Sequence, residues 1–132
     1  MQYLIDTNII SEIFKPKPIA QVTDWIAAQD LVGISTISIE ETYYGLAYKK
    51  AYRQLAWFEN FLQSRCEILP VTPEIARQCG NLRAQLRQQG ITRSQSDLLI
   101  AATALNNQLT IVTRNVKDFQ NINLEIFNPF ND

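Results

Sequence analysis

The chain has 132 residues, 46% of them hydrophobic and 19% charged, a size and balance that fit one soluble globular domain. It contains no histidine, which excludes Ser-His-Asp and Cys-His catalysis, histidine acid–base chemistry and most zinc sites. The formal net charge of −1 gives no overall pull toward nucleic acid, so any such binding needs a local basic patch.

The opening run Tyr3-Leu4-Ile5 is apolar without alternation and reads as a strand covered on both faces. It ends at Asp6, and a helical spacing of Ile9, Ile10, Ile13 and Phe14 begins at once. Lys15-Pro16-Lys17-Pro18 stops that helix, because each proline restricts its neighbour. Ile19 to Ala28 reads as a second helix and Leu31 to Ser35 as a second strand. Ser38 is expected to open a third helix, with Ile39, Tyr43, Leu46 and Ala47 on its apolar side. Tyr52 to Gln63 gives a fourth helix, Glu67 to Val71 a third strand, and Pro73 to Gln89 a long helix ended by Gly90. A polar loop from Ile91 to Ser96 follows. The next helix, Asp97 to Leu105, is apolar nearly all round and so is expected to be buried. Leu109 to Thr113 and Leu124 to Phe127 complete the strands, with a short turn or helix from Arg114 to Phe119 between them. Alternating strands and helices predict one doubly wound α/β domain spanning 1–132.

No apolar run approaches the roughly 18–20 residues of a membrane span. The first residues lack a signal peptide's basic region and apolar core. Cys66 and Cys79 are expected to be buried, reduced thiols of a cytoplasmic protein.

In a parallel sheet with right-handed crossovers, helices start at the carboxyl edge of the strands, where ligands bind. That rule brings Asp6, Glu41, Asp97, Asn115 and Asp118 to one rim, although they are far apart in sequence. Each also has a structural reading. Asp6 could cap the first helix, Ser38-x-x-Glu41 and Ser94-x-x-Asp97 match capping boxes, and Asp118 suits a turn. Gly45 tips the balance for Glu41: glycine inside a helix costs about 1 kcal/mol against alanine. The cost makes sense if something must approach beside Glu41, whereas Glu40, about 100° around the helix, reads as solvated. Clustered carboxylates repel one another, and a hard divalent cation such as Mg²⁺ or Mn²⁺ resolves the conflict with oxygen ligands alone.

Leu4-Ile5-Asp6-Thr7-Asn8, Ser38-x-x-Glu41-x-x-x-Gly45, Asp97-x-x-Ile100-Ala101-Ala102 and Val112-Thr113-Arg114-Asn115-x-x-x-Phe119, in this order, resemble the PIN-domain ribonucleases. The resemblance is strongest to the VapC-type toxins of toxin–antitoxin pairs. It implies a three-layer α/β/α fold around a parallel sheet of about five strands. It implies a Mg²⁺-dependent endoribonuclease with Asp6, Glu41 and Asp97 as the acidic core, Asp6 and Asp97 holding the metal, and Thr113 as the nearby hydroxyl. It also implies a homodimer neutralised by a small antitoxin protein. Where many relatives carry a fourth acid, this chain has Asn115, which can hydrogen-bond but adds no charge. One tightly held metal is therefore expected, with a second bound only alongside substrate, and Asp118 is expected to be a turn residue.

Lys15, Lys17, Lys49, Lys50, Arg53, Arg93, Arg114 and Lys117 could surround the rim; Arg93 and Arg114, beside the acids, are the expected phosphate contacts. Tyr43, Tyr44, Tyr48 and Tyr52 read as core or dimer packing. A haloacid-dehalogenase-type phosphatase would need an acid where Asn8 stands, a receiver domain needs paired acids and a late lysine, and a flap nuclease is usually larger. The alternative from another class is a catalytically weak or inactive PIN-like interaction module.

Overall fold

Leu4 and Ile5 are fully buried, and they face opposite sides of the sheet. The computed structural model describes residues 1–130. Among them, strand β1 (Tyr3–Ile5) leads into α1 (Thr7–Ile13) and α2 (Ala20–Ala27). Then come β2 (Val32–Ser35), α3 (Thr36–Tyr48), α4 (Tyr52–Arg65), β3 (Cys66–Leu69), α5 (Pro73–Gln88) and α6 (Gln95–Asn106). Strand β4 (Thr110–Val112), a 3₁₀ turn (Val116–Phe119) and β5 (Ile126–Phe127) follow. The strands form one parallel sheet in the order β3-β2-β1-β4-β5. The direction of strand addition thus reverses at β1, and the crevice for a ligand opens between the carboxyl ends of β1 and β4.

Each sheet face has its own apolar layer, because successive side chains of a strand point to opposite faces. Ile5, Ile34 and Val112 pack with Ile9, Ile10, Val22, Ile26, Phe58, Phe61 and Leu62 from α1, α2 and α4. Leu4, Leu69 and Ile111 pack with Ile100, Ala101 and Ala104 of α6 and with Phe119. Ile75, Cys79 and Leu86 of α5 then cover Leu98 and Ala102 on the outer side of α6. Helix α6 is buried because α5 lies over it, and its alanines permit that close approach. The expected α/β/α layers are present.

The Gly90 stop behaves as expected, for a reason that fixes its identity. Gly90 has φ +80 and its N–H donates to the Arg87 carbonyl, while Ile91 N–H donates to that of Leu86. Only glycine adopts that left-handed position without strain. The α1–α2 turn is held by Glu12, a buried carboxylate. Its Oε1 pairs with Lys15 at 2.8 Å and its Oε2 accepts from Ile19 N–H at 3.0 Å. The hydrogen bond from Lys15 leads the causes that hold its carboxyl below the usual range.

Two expectations need correction. Helix α3 starts two residues early, since it is Ser35 that caps it, accepting from Ile37 N–H. Ser38 is fully buried inside the helix, and Glu41 sits in the second turn rather than the first. Alternation of strand and helix marked the element, but the choice among Ser35, Thr36 and Ser38 as cap depends on where the strand ends. Ala47 is exposed, so the apolar side of α3 is Ser38, Thr42 and Leu46, with Ile39 and Tyr43 half-buried. Of the four tyrosines only Tyr43 joins the core, against Phe58, with its hydroxyl on Glu59. Tyr44, Tyr48 and Tyr52 are exposed.

Cys66 and Cys79 are both unbridged, and burial pushes the Cys66 thiol up to about 12. No helix of the described residues is long and apolar enough to cross a membrane.

Candidate active site

Asp6 follows directly on β1, and its N–H donates to the Val112 carbonyl at 2.9 Å, so the sheet ladder continues up to the acid. Its side chain is buried and accepts three hydrogen bonds. Thr7 N–H reaches Oδ1 at 2.7 Å, and the Thr113 hydroxyl and Asn8 amide reach Oδ2 at 2.8 and 3.0 Å. Asp6 is therefore the cap of α1 and an acid of the rim at once; the two readings are compatible. Burial is the main cause that pushes its carboxyl up to about 6, with Asp97 and Glu41 adding repulsion against the hydrogen bonds from Thr113 and Thr7. One unit of pKa is about 1.4 kcal/mol, so holding this carboxylate charged costs about 3 kcal/mol.

Asp97 stands in the first turn of α6, where Ser94 caps the helix by accepting from Asp97 N–H at 3.2 Å. Burial raises the pKa of Asp97, opposed by its hydrogen bond with Ser94, and Asp118 and Glu41 raise it further. Asp118 is thus within electrostatic reach of the acids even though it also serves the turn, its N–H donating to the Asn115 carbonyl. Glu41 comes from α3, where Thr7 Oγ1 donates to its Oε1 at 2.7 Å. Glu40 is exposed on the neighbouring face.

Thr113 is fully buried just after β4. Its hydroxyl donates to Asp6 and accepts from Asn8 Nδ2 at 3.1 Å and Asn115 N–H at 3.0 Å. One donor and two acceptor positions are all used, so the hydroxyl holds Asp6 in place. Asn115 is exposed and turns the chain out of β4. The two arginines differ. Arg93 is half-buried and staples the 3₁₀ turn by donating to the Asp118 and Gln120 carbonyls at 2.8 and 3.0 Å. It also counters the charge of Asp97. Arg114 is exposed, with its guanidinium 4.7 Å from the centre of the Phe130 ring.

Beside Glu41 the chain leaves open space. A Cβ on Gly45 would meet nothing within 4 Å, and a cavity of about 290 Å³ is lined by Ser11, Phe14, Lys15, Glu41, Gly45 and Lys49. Among the described residues, no three or more His, Cys, Asp or Glu side chains form a ready-made metal cage. Thr7, Asn8 and Ser38 belong to this polar network, although the sequence motifs did not single them out as site residues. Their available signal was position: polar side chains one and two residues after a strand-ending acid must also lie at the rim.

A family model described as "PIN domain" matches residues 3–123. The chain belongs to the PIN-domain family. A relative named "Ribonuclease VapC2" from Haemophilus influenzae is 34% identical over 124 residues, covering 92% of each chain. The crystal structure of VapBC2 from Rickettsia felis, bound to a DNA fragment from their promoter, superposes with a TM-score of 0.83 at 31% identity, covering 97% of this PIN chain and 98% of the other. A toxin–antitoxin complex from Klebsiella pneumoniae superposes with a TM-score of 0.79 at 26% identity, covering 99% and 100%. The order and spacing of acids in this PIN domain are thus carried by a fold shared along nearly its whole length.

Proposed function

We propose that this PIN domain is a Mg²⁺-dependent endoribonuclease, the toxin of a toxin–antitoxin pair, acting in the cytoplasm as a homodimer and silenced by a small antitoxin protein. The observation that carries the reading is the meeting of Asp6, Glu41 and Asp97 at the switch point, with the buried Asp6 carboxyl pushed up to about 6. The relative named as a ribonuclease and the similarity to a toxin–antitoxin complex support the substrate and the partner.

The donor set fits a hard cation: it is all oxygen, crowded with like charge, and lacks histidine and nearby thiols. Mg²⁺ keeps several waters and takes one or two carboxylates, so a closed cage of three is not required. Asp6 and Asp97 would hold it, Mn²⁺ substituting, and when bound it supplies charge neutralisation and Lewis-acid activation at a phosphodiester. The protein's own groups do the rest. Thr113 and Asn8 hold Asp6 Oδ2 and Thr7 N–H holds Oδ1. Glu41, within charge range of Asp6 and Asp97, accepts the proton of the attacking water. Arg114, Lys15 and Lys49 meet the RNA backbone, Arg93 tempers the charge of Asp97, and Asn115 donates to a phosphate or water. Tyr44, Tyr48 and Tyr52 form the exposed aromatic surface offered to the second protomer.

The test is cleavage of a structured RNA mixture by the purified chain with Mg²⁺, with EDTA, and as Asp97→Asn, with Glu40→Gln as control. Cleavage by the wild type and Glu40→Gln alone, lost with EDTA and in Asp97→Asn, is the expected result. Undiminished cleavage in EDTA, or by Asp97→Asn, overturns the metal mechanism. A chain that cuts no RNA but captures a partner supports an interaction module.

A further inference from the structure

We propose that Thr7 and Asn8 are positioning residues that set Glu41 and Asp6 at a fixed spacing before any cation arrives; this rests on the metal-site reading above. Proton counting gives the direction of each contact. Thr7 Oγ1 lies 2.7 Å from Glu41 Oε1 and 2.9 Å from Ser38 Oγ, but a hydroxyl has one proton. A carboxylate can only accept, so the Thr7 proton is committed to Glu41, with the buried Ser38 oxygen the second neighbour of the same hydroxyl. The shorter contact of the Thr7 hydroxyl therefore ends on the acid.

Asn8 is oriented by the same logic. Its Oδ1 accepts from Arg114 N–H at 3.1 Å, which forces its amide nitrogen toward Asp6 Oδ2 and Thr113 Oγ1. One side chain thus ties the carboxylate after β1 to the loop after β4. Glu41 projects from α3, a separate element with a long flexible side chain, and repels Asp6 and Asp97. Left alone, the acids would swing apart into water. The first turn of α1 stops this: Thr7 Oγ1 holds Glu41 Oε1, while Thr7 N–H and the Asn8 amide hold the two oxygens of Asp6.

Asn8 hydrogen-bonds a proposed metal-holding carboxylate, and loss of such an orienting partner weakens metal affinity by about tenfold or more. Thr7→Val keeps the shape and removes the hydroxyl, Thr7→Ser restores the hydroxyl, and Asn8→Ala removes the bridge. The readouts are Mn²⁺ binding to the full chain by calorimetry, kcat and KM for RNA at saturating Mg²⁺, and melting of the metal-free protein. We expect Asn8→Ala to bind Mn²⁺ about tenfold more weakly and Thr7→Val to bind it as the wild type does while losing kcat at little-changed KM, with Thr7→Ser close to wild type. Should Thr7→Val fail to fold, Asn8→Ala against Thr7→Ser decides. Variants that melt lower yet bind Mn²⁺ and turn over as the wild type does would make both residues structural only and overturn the proposal. A wild-type chain that binds no Mn²⁺ overturns the proposed function, and this inference with it.

Discussion

Asp6 and Asp97 are held in their charged forms against the preference of the fold, and the sign of the consequence follows from linkage. A carboxyl whose pKa is higher folded than unfolded stabilises the chain below its unfolded pKa, and that contribution is lost as pH rises through the folded value. For Asp6 the window runs from 3.8 to about 6. The metal-free protein is thus expected to lose stability from this source between those values. Mn²⁺ affinity is expected to rise across pH 6, because the cation competes with the proton; calorimetry at pH 5 and 7 checks it. Asp97→Asn removes a charge that Asp118 and Glu41 repel, so its metal-free form is expected to melt a few degrees higher at neutral pH. Asp6→Asn gains less. Both Asp6 oxygens accept hydrogen bonds, and an amide in their place sets a donor against a donor. A lower melting temperature for Asp97→Asn without metal would contradict the repulsion.

Helix α3 carries the clearest conflict between local preference and use. Gly45 has no positive φ, and a methyl group on its Cα would meet no atom within 4 Å, so neither backbone strain nor packing demands glycine there. Gly45→Ala is expected to stabilise the fold by about 1 kcal/mol, read in denaturant or thermal melts. If RNA or the antitoxin enters the space beside Glu41, the same variant loses cleavage or antitoxin affinity despite its greater stability. A variant both more stable and fully active would show that Gly45 serves neither. The early start of α3 belongs to this scale as well. Every residue from Ser35 to Ser38 except Ile37 has a side-chain hydroxyl. Ser35 becomes the cap because it is the last residue of β2, paired with Leu69 of β3.

At the scale of the molecule, three exposed tyrosines on α3 and α4 are a large aromatic area for a chain of this size. Tyr44 and Tyr48 stack with ring centroids 6.3 Å apart, presenting a rigid surface. The homodimer proposal places this surface at the interface. Tyr48→Ser is then expected to move the sedimenting species from dimer toward monomer at micromolar concentration while leaving the melting of the monomer nearly unchanged; an unaltered dimer would remove the tyrosines from the interface.

Much of this protein is legible along the chain. Apolar runs, proline stops, Gly90 and the apolar helix before β4 are local signals, and hydrophobic periodicity with turn chemistry determines such elements without reference to distant residues. The alternation of those elements was enough to bring Asp6, Glu41 and Asp97 to one edge, because parallel connections have a handedness and a direction. What the sequence could not specify were pairwise relations. That Thr7 serves Glu41, that Asn8 reaches Arg114, and that Arg93 is committed to carbonyls depend on contacts between residues 25 to 106 positions apart. Hydrogen-bond partners are chosen over a few ångströms, and only the packing of α1 against β4 and α3, and of α6 against the 3₁₀ turn, brings those groups within that range.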